Sequence, residues 1–193
     1  MLSLRGLLLL LLAGATAAFG VPPSNETARV ARFVAHACDW GALATLSTQP
    51  QVQGQPFANV FSISDGELSK GTGVPYMYLT PLEISVKDLQ VNGNASLTLS
   101  LAQTSYCKDK HYDPQSPLCA HVIFCGVVEK VTGAEEEFGR KVLFNRHPEM
   151  EDWPAEHDWF VAKLNIANIW VLSHFGGIES VSPEDYFKAT PQN

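Results

Sequence analysis

The stretch Trp153–Gly177 reads WPAEHDWFVAKLNIANIWVLSHFGG, and its pattern decides the fold class. Two apolar runs, Trp159–Ile166 and Ile169–Phe175, are separated by the step Ala167-Asn168. In the first run Phe160, Ala162, Leu164 and Ile166 alternate with Trp159, Val161, Lys163 and Asn165. A period of two, rich in aromatic and β-branched residues, is a strand signature. The Ala167-Asn168 step fits either a tight hairpin, since Asn accepts positive φ, or a bulge within one bent strand. Gly176-Gly177 then ends the pairing. Two strands are not stable alone, so the rest of the chain must supply a sheet. They are expected as interior strands of an antiparallel barrel.

Outward from this stretch, the chain supplies more strands and a few helices. Ala42–Thr48 and Phe57–Ser64 read as strands joined by a loop over Gln49–Pro56. Asp65–Val74 (DGELSKGTGV) carries three glycines and reads as a mobile loop. It lacks the Gly-Lys-Ser/Thr ending and following helix of a phosphate cradle. Tyr76–Leu79 is a short strand, Pro81–Asn92 a short helical crossover, and Ala95–Ala102 a strand with one wet face. Gln103–Cys119 is irregular, and His121–Val131 resumes as strand. Ala134–His147 has acids in its first turn and bases in its last, matching a helix dipole. Ser24–Cys38 spaces Val30, Phe33, Val34 and Ala37 as an amphipathic helix, with Ser24 or Asn25 as its cap and His36 on the solvated side. Ser182-Pro183-Glu184-Asp185 is the start of a final short helix. The sum is six or seven strands with flanking helices, an α+β fold built on a small antiparallel barrel.

Composition narrows the function classes. With 193 residues, 46% apolar and 17% charged, the chain reads as one folded domain with a core that does not depend on crosslinks. Net charge is −7 and there is no Lys/Arg cluster, which argues against a nucleic-acid partner. Arg5, the apolar run Leu7–Leu12 and small residues through Ala18 describe a secretory signal peptide, placed at 1–20 and followed by a domain over 21–193. The apolar run is too short for a membrane span. Loss of Arg5 with the leader takes the charge from −7 to −8. The expected product is secreted or lumenal, with Asn25-Glu26-Thr27 and Asn94-Ala95-Ser96 as acceptor sequons for N-glycosylation.

Candidate chemistry is sparse. Cys107 and Cys119 close a thirteen-residue loop stiffened by Pro114 and Pro117, and a bridge there contributes about 3 kcal/mol in an oxidising compartment. Four cysteines allow three connectivities, so a Cys38–Cys125 bridge stays open, with Cys125 otherwise a small core residue. His111, His121, His147, His157 and His174 invite a catalytic reading, and Cys107 with His111 suggests a thiol and its base. A four-residue separation in a proline-rich loop defines no geometry, and a bridged cysteine cannot act. Metal-ligand spacings, a G-x-S-x-G elbow and an H-E-x-x-H motif are missing. Asp39 reads as a turn residue, and Glu149 with Glu151 as a solvated acidic face. Trp159, Val161, Trp170 and Leu172 exceed what one barrel interior takes and read as an interface.

Several long motifs resemble one family. ARVARFVAHACDWGALATLST (Ala28–Thr48), GVPYMYLTPL (Gly73–Leu82), YCKDKHYDPQSPLCAHV (Tyr106–Val122), RHPEMEDWP (Arg146–Pro154) and WFVAKLNIANIWVLSHFGG (Trp159–Gly177) look like the cellular-repressor (CREG) family of secreted glycoproteins. ALATLST and the HPE…GG ending resemble pyridoxamine-phosphate oxidases more distantly. The resemblance implies an FMN-binding split-barrel fold, a homodimer, and a secreted and endolysosomal location. It also implies a role in restraining growth and promoting differentiation, with binding to the mannose-6-phosphate (IGF-II-type) receptor through glycans. Family members are regarded as having lost flavin, their cleft filled by their own chain, so no cofactor, metal or catalytic residue carries over. The Asp65–Val74 and Gln103–Cys119 loops are the expected fillers. The runner-up is a flavin-dependent oxidoreductase of the pyridoxamine-phosphate oxidase type. Direct transcriptional repression conflicts with the signal peptide and the acidic charge. The chain departs from the family in lacking a sequon at Asn165-Ile166-Ala167, which leaves Asn94 and Asn25, and in carrying Cys38 and Cys125 beyond the usual pair.

Overall fold

Phe160–Leu172 forms one long strand, β7, rather than two. Its pairing with the antiparallel strand β6 (His121–Lys130) slips once: Cys125 faces Asn168, Gly126 faces Ile166, and Ala167 is the unpaired extra residue. The step is therefore a bulge. Gly126 is the residue that permits it, because a Cβ there would lie 2.0 Å from the Asn165 carbonyl oxygen. β7 is interior, as expected. Beyond β6 on one side, its other edge is shared by β4 (Lys70–Leu79) and by a three-residue strand, β8 (Glu179–Val181), that the sequence pattern did not announce.

The computed structural model describes residues 20–191. The expected signal peptide therefore lies, but for Gly20, outside the described residues. The elements run α1 (Thr27–Ala37), β1 (Trp40–Leu46), β2 (Pro56–Ser62), β3 (Ser64–Glu67), β4, α2 (Ile84–Val91), β5 (Asn94–Ser100), α3 (Tyr106–Asp109), β6, α4 (Ala134–Arg146), β7, β8 and α5 (Pro183–Lys188). All eight strands join one antiparallel sheet in the order β2-β1-β5-β6-β7-β4-β3, with β8 beside β7. The sheet curls into a half-barrel with flanking helices, an α+β split-barrel architecture, with one or two strands more than the pattern suggested.

Two expectations fail here. Asp65–Val74 is no mobile loop: β3 and β4 form a hairpin through it, turning at Leu68-Ser69. The glycines that suggested a loop serve close packing, since a Cβ on Gly71 would lie 2.1 Å from Asp65 Oδ2. α1 starts at Thr27, and neither Ser24 nor Asn25 caps it; Glu26 holds the cap position without a side-chain bond. The start of α5 agrees with expectation, as Ser182 Oγ accepts from the Asp185 N–H at 3.1 Å.

The concave side of the sheet buries Leu43, Leu97, Leu99, Phe124, Leu164 and Ile169, sealed at one end by the apolar stripe Val30, Ala31, Val34 and Ala35 of α1. Tyr186 of α5 enters this core edge-on to Phe124 at 5.3 Å and donates its hydroxyl to the Gly73 carbonyl at 2.8 Å. A second core forms where α4 covers the outer side of β4 and the start of β7, burying Tyr76, Val142, Leu143, Met150 and Val161. That cover is why Val161 is fully buried and cannot contribute to an interface. The remaining outer face, over β2, β1, β5, β6 and the second half of β7, carries no helix and leaves Val60, Leu46, Val127, Trp170 and Trp40 exposed.

Candidate functional site

β4 turns Tyr78 away from the barrel interior, toward the irregular segment between α4 and β7. Pro148 and Pro154 there start tight turns that deliver Trp153 and Trp159 to the same place. Tyr78 stacks on Trp159 at 5.2 Å and 18°, and on Trp153 at 6.2 Å and 25°. The two indoles touch at 4.7 Å, and the Trp159 Nε1–H donates to the Pro154 carbonyl at 2.9 Å. Arg140 lies over the Tyr78 ring at 5.4 Å and donates to its hydroxyl at 3.0 Å. This stack fills most of a notch between β2 and β4 and leaves about 180 Å3, bordered by Ser62, Thr80 and Glu83. Trp159 is therefore part of this stack rather than of a free interface.

A flavin mononucleotide needs a slot for its ring system and a cradle for a phosphate dianion. The notch is smaller than the roughly 300–1,000 Å3 of ordinary ligand sites. Its one charged lining residue is an acid, Glu83, whose Oε1 accepts from Asn59 Nδ2 at 2.8 Å. The residues lining this notch do not fit the cofactor. The Trp153–Trp159 pair fills this notch, and neither the β3–β4 hairpin nor Gln103–Cys119 borders it.

A polar cluster lies where α1, α4 and the β3–β4 hairpin meet. His36 Nδ1 is 2.7 Å from Asp65 Oδ1, and its Nε2 is 3.2 Å from the Leu68 carbonyl. Arg146 Nη2 is 3.5 Å from the same Asp65 oxygen, while its Nη1 donates to the His36 and Cys38 carbonyls. Arg32, also buried, donates to the carbonyls of Gly71 and Ala189, both at 2.8 Å. His36 is thus not a solvated helix residue; it is half-buried against a carboxylate 29 positions away. The pair has no nucleophile. Cys38 donates to the Ser100 carbonyl at 3.2 Å, and burial pushes its thiol up to about 12.

The other candidates do not converge. Cys107 and Cys119 are bonded to each other, with Cα atoms 5.4 Å apart. Cys38 and Cys125 are free thiols, and Cys125 is half-exposed on the outer face beside Ser96 Oγ at 3.3 Å rather than in the core. His111 is exposed with φ 56°, His147 Nε2 meets the Ile63 carbonyl at 2.9 Å, His157 lies beside Trp159, and His174 is 3.4 Å from Glu179. His121 is half-buried at the start of β6, while Asp39, Glu149 and Glu151 are exposed, as read. Among the described residues no group of three His, Cys, Asp or Glu side chains could hold a metal ion. Asn25 and Asn94 are both exposed. Asn94 lies on the outer face, paired with Val127 and four residues along β5 from Thr98, which belongs to the row of Trp170. It shares that face.

Residues 22–188 match the family model described as "CREG, beta-barrel". The chain belongs to the CREG family. Chicken (Gallus gallus) protein CREG1 is 60% identical over 190 residues, covering 96% of this chain and 99% of that protein. Among solved structures, a heme-binding protein from Mycobacterium smegmatis superposes with a TM-score of 0.68 at 22% identity, over 88% of this chain and 62% of its own. A pyridoxinephosphate oxidase family protein from Clostridium acetobutylicum gives 0.56 at 10% identity, over 83% of this chain and 98% of its own. Those two likenesses show the split-barrel fold of the CREG chain.

Proposed function

We propose that this CREG protein is a non-catalytic glycoprotein that acts by binding. The observation that carries this reading is the notch between β2 and β4, packed with Trp153, Trp159 and Tyr78 and bordered by a carboxylate instead of a phosphate-binding cation. The buried polar groups of the α1–α4 cluster serve carbonyls and ion pairs of the fold. Calorimetric titration with FMN at micromolar concentration is expected to give no heat, and the purified protein no flavin absorbance. Saturable tight binding would instead support the oxidoreductase alternative.

In this reading residues 1–20 are a cleaved signal peptide and 21–193 fold as one domain, secreted and delivered to endolysosomes. Restraint of growth and promotion of differentiation follow from capture by the mannose-6-phosphate (IGF-II-type) receptor through glycans on Asn94 and Asn25. Exposure of both asparagines supports this. Replacing both with Gln is expected to abolish capture by the immobilised receptor, and unchanged capture refutes the glycan route. The bare outer face supports a homodimer, because Val60 at 61% and Trp170 at 41% exposure leave a large apolar surface uncovered. Light scattering is expected to give twice the chain mass; a monomer at high concentration overturns it.

A further inference from the structure

At the barrel mouth away from α1, helix α2 stands off from the ends of β4, β6 and β7. It leaves a pocket of about 390 Å3, within the size range of small-molecule sites and in a usual place for one. Its body is apolar, formed by Leu79, Val86, Leu89, Val128, Phe160 and Ala162. Two charges of opposite sign border it. Lys130 pairs with Ala162 across the β6–β7 ladder and so points to the barrel side, its ammonium held 5.3 Å from the centre of the Phe160 ring. Asp158 stands before β7 in the left-handed region, φ 53°. Among the described residues neither side chain forms an ion pair, and the two lie beyond ion-pair distance of each other.

That combination is selective. A simple carboxylic acid would gain Lys130 but meet Asp158, and a simple amine would do the reverse. A molecule with an apolar body and one charge of each sign at its ends satisfies both. Two residues of extended chain span about 7 Å, so the two termini of a dipeptide can meet charges that do not pair with each other. We propose that the α2-side mouth of the barrel binds a short apolar peptide, of dipeptide size, with its carboxylate at Lys130, its ammonium at Asp158 and its side chains in the apolar body. This goes beyond the receptor-binding reading and uses a different surface, so either can fail alone.

The test is calorimetry and two-dimensional NMR on the full mature protein with leucyl-leucine. Saturable binding is expected, with shifts centred on α2 and the ends of β6 and β7. N-acetyl-leucyl-leucine and leucyl-leucine amide, each lacking one charge, should bind about tenfold more weakly, and glycylglycine not at all. Lys130→Gln should erase the preference for the free carboxylate alone. Asp158→Asn, in which Asn tolerates the left-handed backbone, should erase the preference for the free amine alone. No saturation by about 10 mM would overturn the site. Equal affinity for the blocked peptides, or shifts that map elsewhere, would do the same.

Discussion

Asp65 and Asp88 are both fully buried, at opposite ends of the barrel. Asp65, in the hairpin beneath α1, sits between His36 and Arg146, and its second oxygen has no hydrogen-bond partner. Asp88, on α2, forms no ion pair among the described residues. It accepts from the Thr45 hydroxyl at 2.9 Å and from both the N–H and the hydroxyl of Thr48 at 2.7 Å. Burial opposes its charge, but these bonds outweigh it and hold the carboxyl below its ordinary 3.8. The difference is one of reach. Asp65 fastens elements distant in sequence, and losing it strands charge; Asp88 fastens α2 to the end of β1, and losing it strands neutral donors.

Asp65→Ala should therefore be the most damaging change, on the order of 3–5 kcal/mol, because Arg146 stays behind without its counter-charge and His36 without its hydrogen-bond partner. Urea unfolding measures it; a loss under about 1 kcal/mol would show that the cluster does not fasten the hairpin. Asp88→Ala should cost less, about 2–3 kcal/mol, for hydrogen bonds to a charged acceptor. Because its folded value is depressed, Asp88 contributes fully above pH 3.8 and loses that contribution as pH falls through the lower folded value. Asp88→Asn should accordingly flatten the acid limb of melting temperature against pH, whereas an unchanged acid limb would assign that limb to other groups. Thr48→Val, which keeps the backbone donor, should cost about 1–2 kcal/mol in the same urea assay. Val60→Asp, at neither end, should leave monomer stability within about 0.5 kcal/mol and shift mass in light scattering alone. A large stability loss would place Val60 in the fold rather than on an open face.

The same contrast explains what the sequence disclosed. Period-two alternation in Phe160–Ile166 and Asn94–Ser100 revealed strands because each side chain's face depends on its immediate neighbours. Ser182-Pro183 revealed α5 for the same local reason. Asp65, His36 and Arg146 were opaque, since their partners lie tens of residues away and polar residues off an apolar stripe look solvated. Gly71 misled because a glycine required by a neighbouring carboxylate looks the same as one required by a turn. In the candidate site, Tyr78, Trp153 and Trp159 were visible as aromatics. Their mutual stacking depends on two proline-started turns whose direction no periodicity encodes.

The bulge at Ala167 has a consequence for insertions and deletions. Removing Ala167 leaves Ile166 opposite Gly126 and Asn168 opposite Cys125, with Leu164, Ile166, Ile169 and Val171 still facing inward. Removing Leu164 instead reverses the parity of the strand on one side of the gap and turns Phe160 and Ala162 toward α4, or Ile169 and Val171 toward solvent. β7 thus has one site where chain length can change by a residue without exchanging inside for outside, and variation in length among related chains should concentrate there.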